Sequence, residues 1–122
     1  MSLTTEVLKG EGGKCRIELN GRLDTSTAPE LEKKLMSIDL TEHPLQILDL
    51  AELDYISSAG IRVLFKAKKR ATDRDARVLF VNPKPSVRKV FDIVKALPSE
   101  SIFRSMEELD TYLDNIQRNV QN

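Results

Sequence analysis

The stretch "LQILDLAELDYISSAGIRVLF", Leu45 to Phe65, contains the connection between strand and helix that decides the fold. It opens with a short, nearly continuous apolar run that ends at Leu53, and such a run is typical of a strand buried on both faces between helices. Two serines and two very small residues, Ser57 to Gly60, then lead into a second apolar run. The stretch therefore predicts a buried parallel strand that soon passes into a helix.

The residues before this stretch predict a β-hairpin and a first helix. Residues 4–23 contain a Gly12–Gly13 turn, which supplies the positive φ angles of a tight hairpin, and apolar and charged side chains alternate after it. Residues 24–38 have apolar side chains at helical spacing. Because Thr27 and Glu30 have the spacing of a capping box, we expect the first helix to begin there.

The residues after the stretch continue the alternation of helix and strand. We expect, in chain order, a helix over 59–75, a strand over 76–82, a helix over 83–97, a short strand over 101–103, a helix over 106–116 and a frayed tail over 117–122. Ser105 and Glu108 form a second capping box at the start of the last helix. The order ββαβαβαβα predicts an α/β fold, with one domain over 1–122 and helices packed on a mixed sheet.

Composition excludes several classes of protein. The chain has 122 residues with 19 basic and 19 acidic side chains, so it lacks the basic excess of a protein that binds nucleic acid directly. Its only cysteine, Cys15, cannot form an internal disulfide, which favours a reducing compartment and predicts a cytoplasmic protein. No apolar run approaches the roughly 20 residues that span a membrane, and the N-terminus has no signal-peptide pattern, so we expect no membrane insertion.

The side chains that could carry chemistry do not predict an enzyme. His43, the only histidine, lies in a loop before a proline, and we expect it to be solvated rather than catalytic or metal-bound. Cys15 alternates with charged residues on a strand and is expected to be a buried structural thiol. Residues 10–13 are rich in glycine but are not followed by the Lys-Ser/Thr pair of a phosphate-binding loop. We therefore predict no catalytic residue, no metal and no cofactor.

The serine junction has two interpretations on the residues alone. In the first, Ser57 or Ser58 caps the second helix by accepting a backbone hydrogen bond. The small residues Ala59 and Gly60 then let the helix start pack closely on the sheet. In the second, a serine at this place accepts a phosphoryl group, whose charge is stabilised by the N–H groups of the helix start and by Arg62. Both interpretations remain open at this point.

Three segments resemble the STAS domain, and more closely the stand-alone anti-sigma factor antagonists of bacteria. They are "NGRLDTSTAPELEKKL" (20–35), "ILDLAELDYISSAGIRVLFKAKK" (47–69) and "RVLFVNPKPSVRKVFDI" (77–93). The middle segment is the most specific of the three. The resemblance covers about residues 4–116, and it implies the STAS fold, in which helices pack on a mixed sheet.

The resemblance implies a regulatory switch rather than a catalyst. In this family the unphosphorylated protein binds an anti-sigma factor that is also a serine kinase, and the kinase then phosphorylates a serine at the start of the second helix, which separates the two proteins. A serine phosphatase resets the switch. The matching position is Ser58, and Ser57 is the less favoured acceptor, at a place where several antagonists have Asp. The implied partner-binding residues are Asp24, Thr25, Ser57, Ser58, Ala59, Gly60 and Arg62.

Two other functions are compatible with the sequence. One is a constitutive accessory subunit of a membrane transporter or of another signalling complex, because STAS domains also occur in such assemblies. The other is a small enzyme or nucleotide-binding domain. This last alternative is the weakest, since the sequence contains no acid/base pair, metal cluster or phosphate-binding loop that would support it.

Overall fold

The computed structural model describes residues 2–96 and 106–119. These residues form four strands and four helices in the order β1 (Leu3–Lys9), β2 (Lys14–Leu23), α1 (Ala28–Met36), β3 (Leu45–Ile56), α2 (Ser58–Asp73), β4 (Arg77–Val81), α3 (Pro85–Ala96) and α4 (Met106–Asn119). The predicted α/β fold is confirmed. The predicted strand over 101–103 and the predicted capping residue Ser105 lie outside the described residues.

The strands form one mixed sheet in the order β1-β2-β3-β4. β1 and β2 are antiparallel, and the turn between them contains Gly12 and Gly13 with φ angles of 71° and 79°, as the sequence predicts. β3 pairs in parallel with β2 on one side and with β4 on the other. α1 and α2 therefore each connect two parallel strands, as in β-α-β units.

The described helices cover one face of this sheet. On that face β2 contributes Cys15, Ile17 and Leu19, and β3 contributes Leu48 and Leu50. All five side chains are buried in one apolar cluster with residues from all four helices. The buried thiol predicted at Cys15 is confirmed, and burial raises its pKa.

The opposite face of the sheet is more open in the described part of the chain. Arg16 and Glu18 are partly exposed there, and Leu79 of β4 is 38% exposed. Two outward-facing side chains of β3, Leu45 and Ile47, are only half-buried, whereas Asp49 on the same face is buried. The expectation that β3 is buried on both faces is therefore wrong at Leu45 and Ile47, because a continuous apolar run does not show how many faces are covered.

His43 is another departure from the sequence-based expectation. It is 7% exposed rather than solvated, and its backbone N–H donates a hydrogen bond to the Asp39 carbonyl at 2.9 Å. The loop that contains it is also tied to β4, because the Pro44 carbonyl accepts a hydrogen bond from the Arg77 N–H at 2.7 Å. These contacts hold the loop against the fold and bury the histidine.

Candidate functional site

The junction between β3 and α2 is held by the backbone and the side chain of Ser57. Ser57 is the N-cap of α2, with extended backbone (φ −99°, ψ 176°), and its Oγ accepts a hydrogen bond from the Gly60 N–H at 3.4 Å. The Ser57 N–H donates to the Leu23 carbonyl at 2.9 Å, which fastens the helix start to the end of β2. Of the two serines that the sequence leaves open as caps, Ser57 is the one that caps the helix.

Ser58 is the first residue of α2 and is only 5% exposed. The first turn of this helix contains no acidic residue, so no carboxylate of that turn balances the positive end of the helix dipole. A negative charge at the start of α2 would therefore be electrostatically favourable.

Gly60 is required for its small size. Its φ lies outside the positive range, so its backbone does not require glycine. A Cβ atom at this position would lie 2.6 Å from Leu23 Cγ and 3.0 Å from Ile56 Cγ1. The close approach of helix and sheet that the sequence predicts is confirmed, and it explains why a poor helix former occupies the first turn.

The end of β3 is also held by Gln117 of α4. Gln117 Oε1 accepts a hydrogen bond from the Ile56 N–H at 2.9 Å, and Gln117 Nε2 donates to the Ile56 carbonyl at 2.8 Å. β4 pairs with β3 only as far as Val81 and Asp49, so the side-chain amide replaces a strand partner for Ile56. The prediction that the tail is frayed from residue 117 is therefore wrong for Gln117, which is buried in α4.

The loop between β2 and α1 is closed by reciprocal hydrogen bonds. Asp24 Oδ1 accepts from the Ser26 hydroxyl at 2.7 Å, from the Ser26 N–H at 3.0 Å and from the Thr27 N–H at 3.2 Å. These bonds, led by that of the Ser26 hydroxyl, hold the pKa of the Asp24 carboxyl below its ordinary value. Thr27 Oγ1 accepts from the Asp24 N–H at 2.9 Å and donates to the Arg22 carbonyl at 2.8 Å. Thr27 thus bonds back into the loop, and the predicted capping box with Glu30 is wrong.

Arg22, which no sequence motif indicated as a site residue, lies beside the junction. Its guanidinium carbon is 3.9 Å from the centroid of the Tyr55 ring, which is a cation–π contact. Its Nε is 3.8 Å from Asp24 Oδ2. Arg22 and Tyr55 meet because they are paired across β2 and β3. Only the register of the two strands could have revealed this contact.

The predicted partner-binding residues fall into two groups. One group lines a single open depression of about 350 Å³, whose lining consists of Arg22, Asp24, Thr25, Ser26, Tyr55 and Ser57. The other group belongs to the start of α2 and consists of Ser58, Ala59, Gly60 and Arg62. Within this second group, Ser58 and Gly60 are buried, Ala59 is half-buried and Arg62 is exposed.

The chemistry of this surface comes from hydroxyls, a carboxylate, a guanidinium and an aromatic ring. Among the side chains of residues 2–94 and 111–118, no three of His, Cys, Asp or Glu come together as a metal site would require. In the same part of the chain, no helix combines the length and the apolar character needed to cross a membrane. The arrangement can bind a protein surface and can place a phosphoryl group at a helix start.

Comparison with known proteins gives the family. Residues 6–109 match the family model of the STAS domain. BtrV of Bordetella bronchiseptica, whose name assigns it to the anti-sigma factor antagonists, is 36% identical to this chain over 94 residues. The match covers 76% of this chain and 78% of BtrV.

Solved structures share the fold. An anti-sigma factor antagonist from Mycobacterium paratuberculosis matches over 92% of this chain and 94% of its own, with 19% identity and a TM-score of 0.69. The anti-sigma factor antagonist SpoIIAA in its unphosphorylated form matches over 96% of this chain and 100% of its own, with 19% identity and a TM-score of 0.63.

Two further structures match a smaller part of the chain. The phosphorylated form of SpoIIAA from Bacillus matches over 75% of this chain and 83% of its own, with 20% identity and a TM-score of 0.63. This chain also spans 20% of the longer chain Mglu, matching over 66% of its own length with 22% identity and a TM-score of 0.57. At these identities the solved structures show the fold alone, and the family follows from the family model and from BtrV. The chain belongs to the STAS domain family, among its anti-sigma factor antagonists.

Proposed function

We propose that this protein is a regulatory anti-sigma factor antagonist that is switched by phosphorylation of Ser58. In its unphosphorylated state it binds an anti-sigma factor that is also a serine kinase, and phosphorylation of Ser58 separates the two proteins. A serine phosphatase then restores binding. In this cycle the protein is a ligand and a substrate rather than an enzyme. Its similarity to BtrV supports the role of an antagonist.

The observation that carries the proposal is the position of Ser58, which begins α2 directly after the N-cap Ser57. A phosphoserine carries about 1.5 to 2 negative charges at neutral pH. The N–H groups of the first turn and the helix dipole favour these charges at this position, and the turn has no acidic residue to oppose them. The helix can therefore accept the modification without losing its start.

Ser58 is a better acceptor than Ser57 because Ser57 supplies the cap. A phosphoryl group on Ser57 Oγ would alter the hydrogen bond that this oxygen accepts from the Gly60 N–H at 3.4 Å. Modification of Ser58 leaves that cap in place. Both serines are buried, so the Ser58 side chain must turn outward before a kinase can transfer phosphate to it. Phosphorylation of Ser58 then depends on formation of the complex with the kinase.

The effect on the partner follows from the charge of the surface. Asp24 and Thr25 lie beside Ser57 in the depression, and Arg62 is exposed on the adjacent helix. A partner that fits this surface in its unmodified state meets neutral hydroxyls, the Arg22 guanidinium over Tyr55, and one carboxylate that is ionised at neutral pH. Phosphate on Ser58 adds negative charge next to that carboxylate, which disfavours the same partner surface by repulsion and by the cost of desolvation.

The test is the affinity for the anti-sigma factor kinase of the same organism, measured by titration calorimetry without ATP. We expect Ser58→Ala to bind like the unmodified protein and Ser58→Asp to bind at least about tenfold more weakly, which is about 1.4 kcal/mol. Thr72→Asp adds the same charge at the exposed far end of α2 and should bind like the unmodified protein. Equal affinities for Ser58→Asp and Ser58→Ala would contradict the switch and favour a constitutive binding subunit.

A further inference from the structure

We propose that Arg22 responds to phosphorylation of Ser58, with its guanidinium leaving Tyr55 and Asp24 to pair with the phosphoryl group. This inference rests on the proposed function and adds a residue that transmits the switch. It connects the charge at the start of α2 with the loop that follows β2.

The backbone holds Arg22 close to the start of α2. Arg22 is paired with Tyr55, and Leu23 with Ile56, across β2 and β3. The Ser57 N–H extends this pairing, because it donates to the Leu23 carbonyl at 2.9 Å. Since side chains alternate along an extended chain, Arg22, Tyr55 and Ser57 project to the same side, and all three line the depression of about 350 Å³. Ser58 follows directly and is 5% exposed, so the inference requires its phosphorylated side chain to turn outward to the side of the depression on which the Arg22 guanidinium lies.

The contacts that hold the Arg22 guanidinium are individually weak. The guanidinium lies over the Tyr55 ring at a partly exposed place, where a cation–π contact contributes little. Its Nε is 3.8 Å from Asp24 Oδ2, which is longer than a hydrogen bond. Asp24 Oδ1 already accepts hydrogen bonds from Ser26 and Thr27, so the carboxylate does not depend on Arg22. A stronger anion nearby would therefore draw the guanidinium away.

Phosphoserine is such an anion. It carries about 1.5 to 2 negative charges and three acceptor oxygens, and the planar guanidinium can bind two of those oxygens at once. When the guanidinium moves, the Tyr55 ring is uncovered and the Asp24 carboxylate loses its neighbouring cation. Phosphorylation of Ser58 thus changes the surroundings of Arg22, Tyr55 and Asp24 together. The surface that a partner meets then differs by more than the added charge alone.

The two tyrosines of the chain provide the first readout. Tyr55 lies under Arg22, whereas Tyr112 lies on α4 and is 41% exposed. The full-length protein, with 13C-labelled tyrosine rings, is compared before and after complete phosphorylation by the anti-sigma factor kinase and ATP. We expect the Tyr55 ring resonances to shift and the Tyr112 resonances to stay in place. In Arg22→Ala the ring is already uncovered, so phosphorylation should cause only a small fraction of that shift.

The phosphoryl group provides the second readout, through its 31P titration. Pairing with a cation favours the dianion of the phosphoryl group. In the phosphorylated protein without substitutions, the second pKa of phosphoserine should therefore be lower than in phosphorylated Arg22→Ala, by about half a unit or more. Arg22→Lys keeps the charge without the planar fork and should give an intermediate midpoint. Arg62→Ala tests the other cation near this helix start. A midpoint that rises in Arg62→Ala and not in Arg22→Ala would overturn the inference.

The outcomes distinguish this inference from the function on which it rests. If Ser58 is phosphorylated but Arg22→Ala titrates like the unmodified sequence and shows the same Tyr55 shift, the role of Arg22 is wrong and the proposed function stands. If Ser58 takes up no phosphate from an active kinase, both are wrong. A lowered midpoint and a Tyr55 shift that both depend on Arg22 support the inference.

Discussion

The turn between β1 and β2 and the junction between β3 and α2 both require glycine, but for different reasons. At the turn, Gly12 has a φ angle of 71°, and nothing lies within 4 Å of the place that a Cβ would take. At the junction, a Cβ on Gly60 would lie 2.6 Å from Leu23 Cγ, and no positive φ is involved. Gly12 therefore depends on the backbone of its own turn, whereas Gly60 depends on side chains that are distant in the sequence. Gly13 combines both requirements, because its φ is 79° and a Cβ there would lie 2.8 Å from Pro44 Cδ.

This difference extends to the rest of the candidate site. The Ser57 N–H is bound by the Leu23 carbonyl of another strand. Ile56 is bound by Gln117, which lies 61 positions away in the sequence. A turn can form from local preferences alone, but Ser57 and Ser58 are held in place only when β2, β3 and α4 have come together. Changes at distant residues should therefore affect the junction more strongly than the turn.

The largest expected effect is that of Gln117→Ala. This change leaves the N–H and the carbonyl of Ile56 without their Gln117 partners, and an unsatisfied buried polar group costs about 1–3 kcal/mol. We expect the free energy of unfolding, measured by urea denaturation, to fall by about 2–4 kcal/mol. Amide hydrogen exchange should become faster at Ile56 and unchanged at the hairpin turn.

Asn115→Ala is the matched control for this prediction. Asn115 is exposed on the same helix, so its replacement should change the free energy of unfolding by less than about 0.5 kcal/mol. If Gln117→Ala and Asn115→Ala unfold at the same urea concentration, the side chain of Gln117 does not hold the junction.

A smaller effect separates the two glycines. Gly60→Ala improves helix propensity but forces Leu23 to move, and we expect a net loss of about 1–2 kcal/mol. Gly12→Ala should cost about 1 kcal/mol through its positive φ alone.

A double-mutant test combines each of these two changes with Leu23→Ala. The pair Gly60 and Leu23 should be non-additive by more than about 0.5 kcal/mol, whereas Gly12 and Leu23 should be additive within that limit. Additivity of both pairs would contradict the steric role of Gly60.

The fold could be predicted from the sequence where local patterns decide it. The turn at Gly12–Gly13, the strand over 76–82 and the helix over 59–75 follow from glycine placement and apolar periodicity, and the structure has these elements within a few residues of the predicted bounds. The close packing at Gly60 was also accessible, because a poor helix former in a first turn requires a reason. The turn, the strand and the helix involve residues that are near one another in the chain, whereas the sequence does not show that the close neighbour of Gly60 is Leu23.

The missed features depend on contacts between distant segments or on competition between hydrogen bonds. Thr27 has capping-box spacing, but its hydroxyl bonds to Asp24 and Arg22 instead, and spacing alone cannot decide between such partners. Gln117 follows Leu113 by four positions and so shares its buried stripe, yet a partner for it exists only because β4 ends before Ile56. In each case the three-dimensional arrangement, rather than the residue type, decides the role.

The most direct test of the central claim is to map the phosphate by mass spectrometry after incubation with the anti-sigma factor kinase and ATP. The protein is compared with Ser57→Ala and Ser58→Ala, which alter the two adjacent hydroxyls one at a time. We expect a single phosphate on Ser58 in the protein without substitutions and in Ser57→Ala, and none in Ser58→Ala. Phosphate on Ser57, phosphate retained in Ser58→Ala, or no phosphate from an active kinase would contradict it.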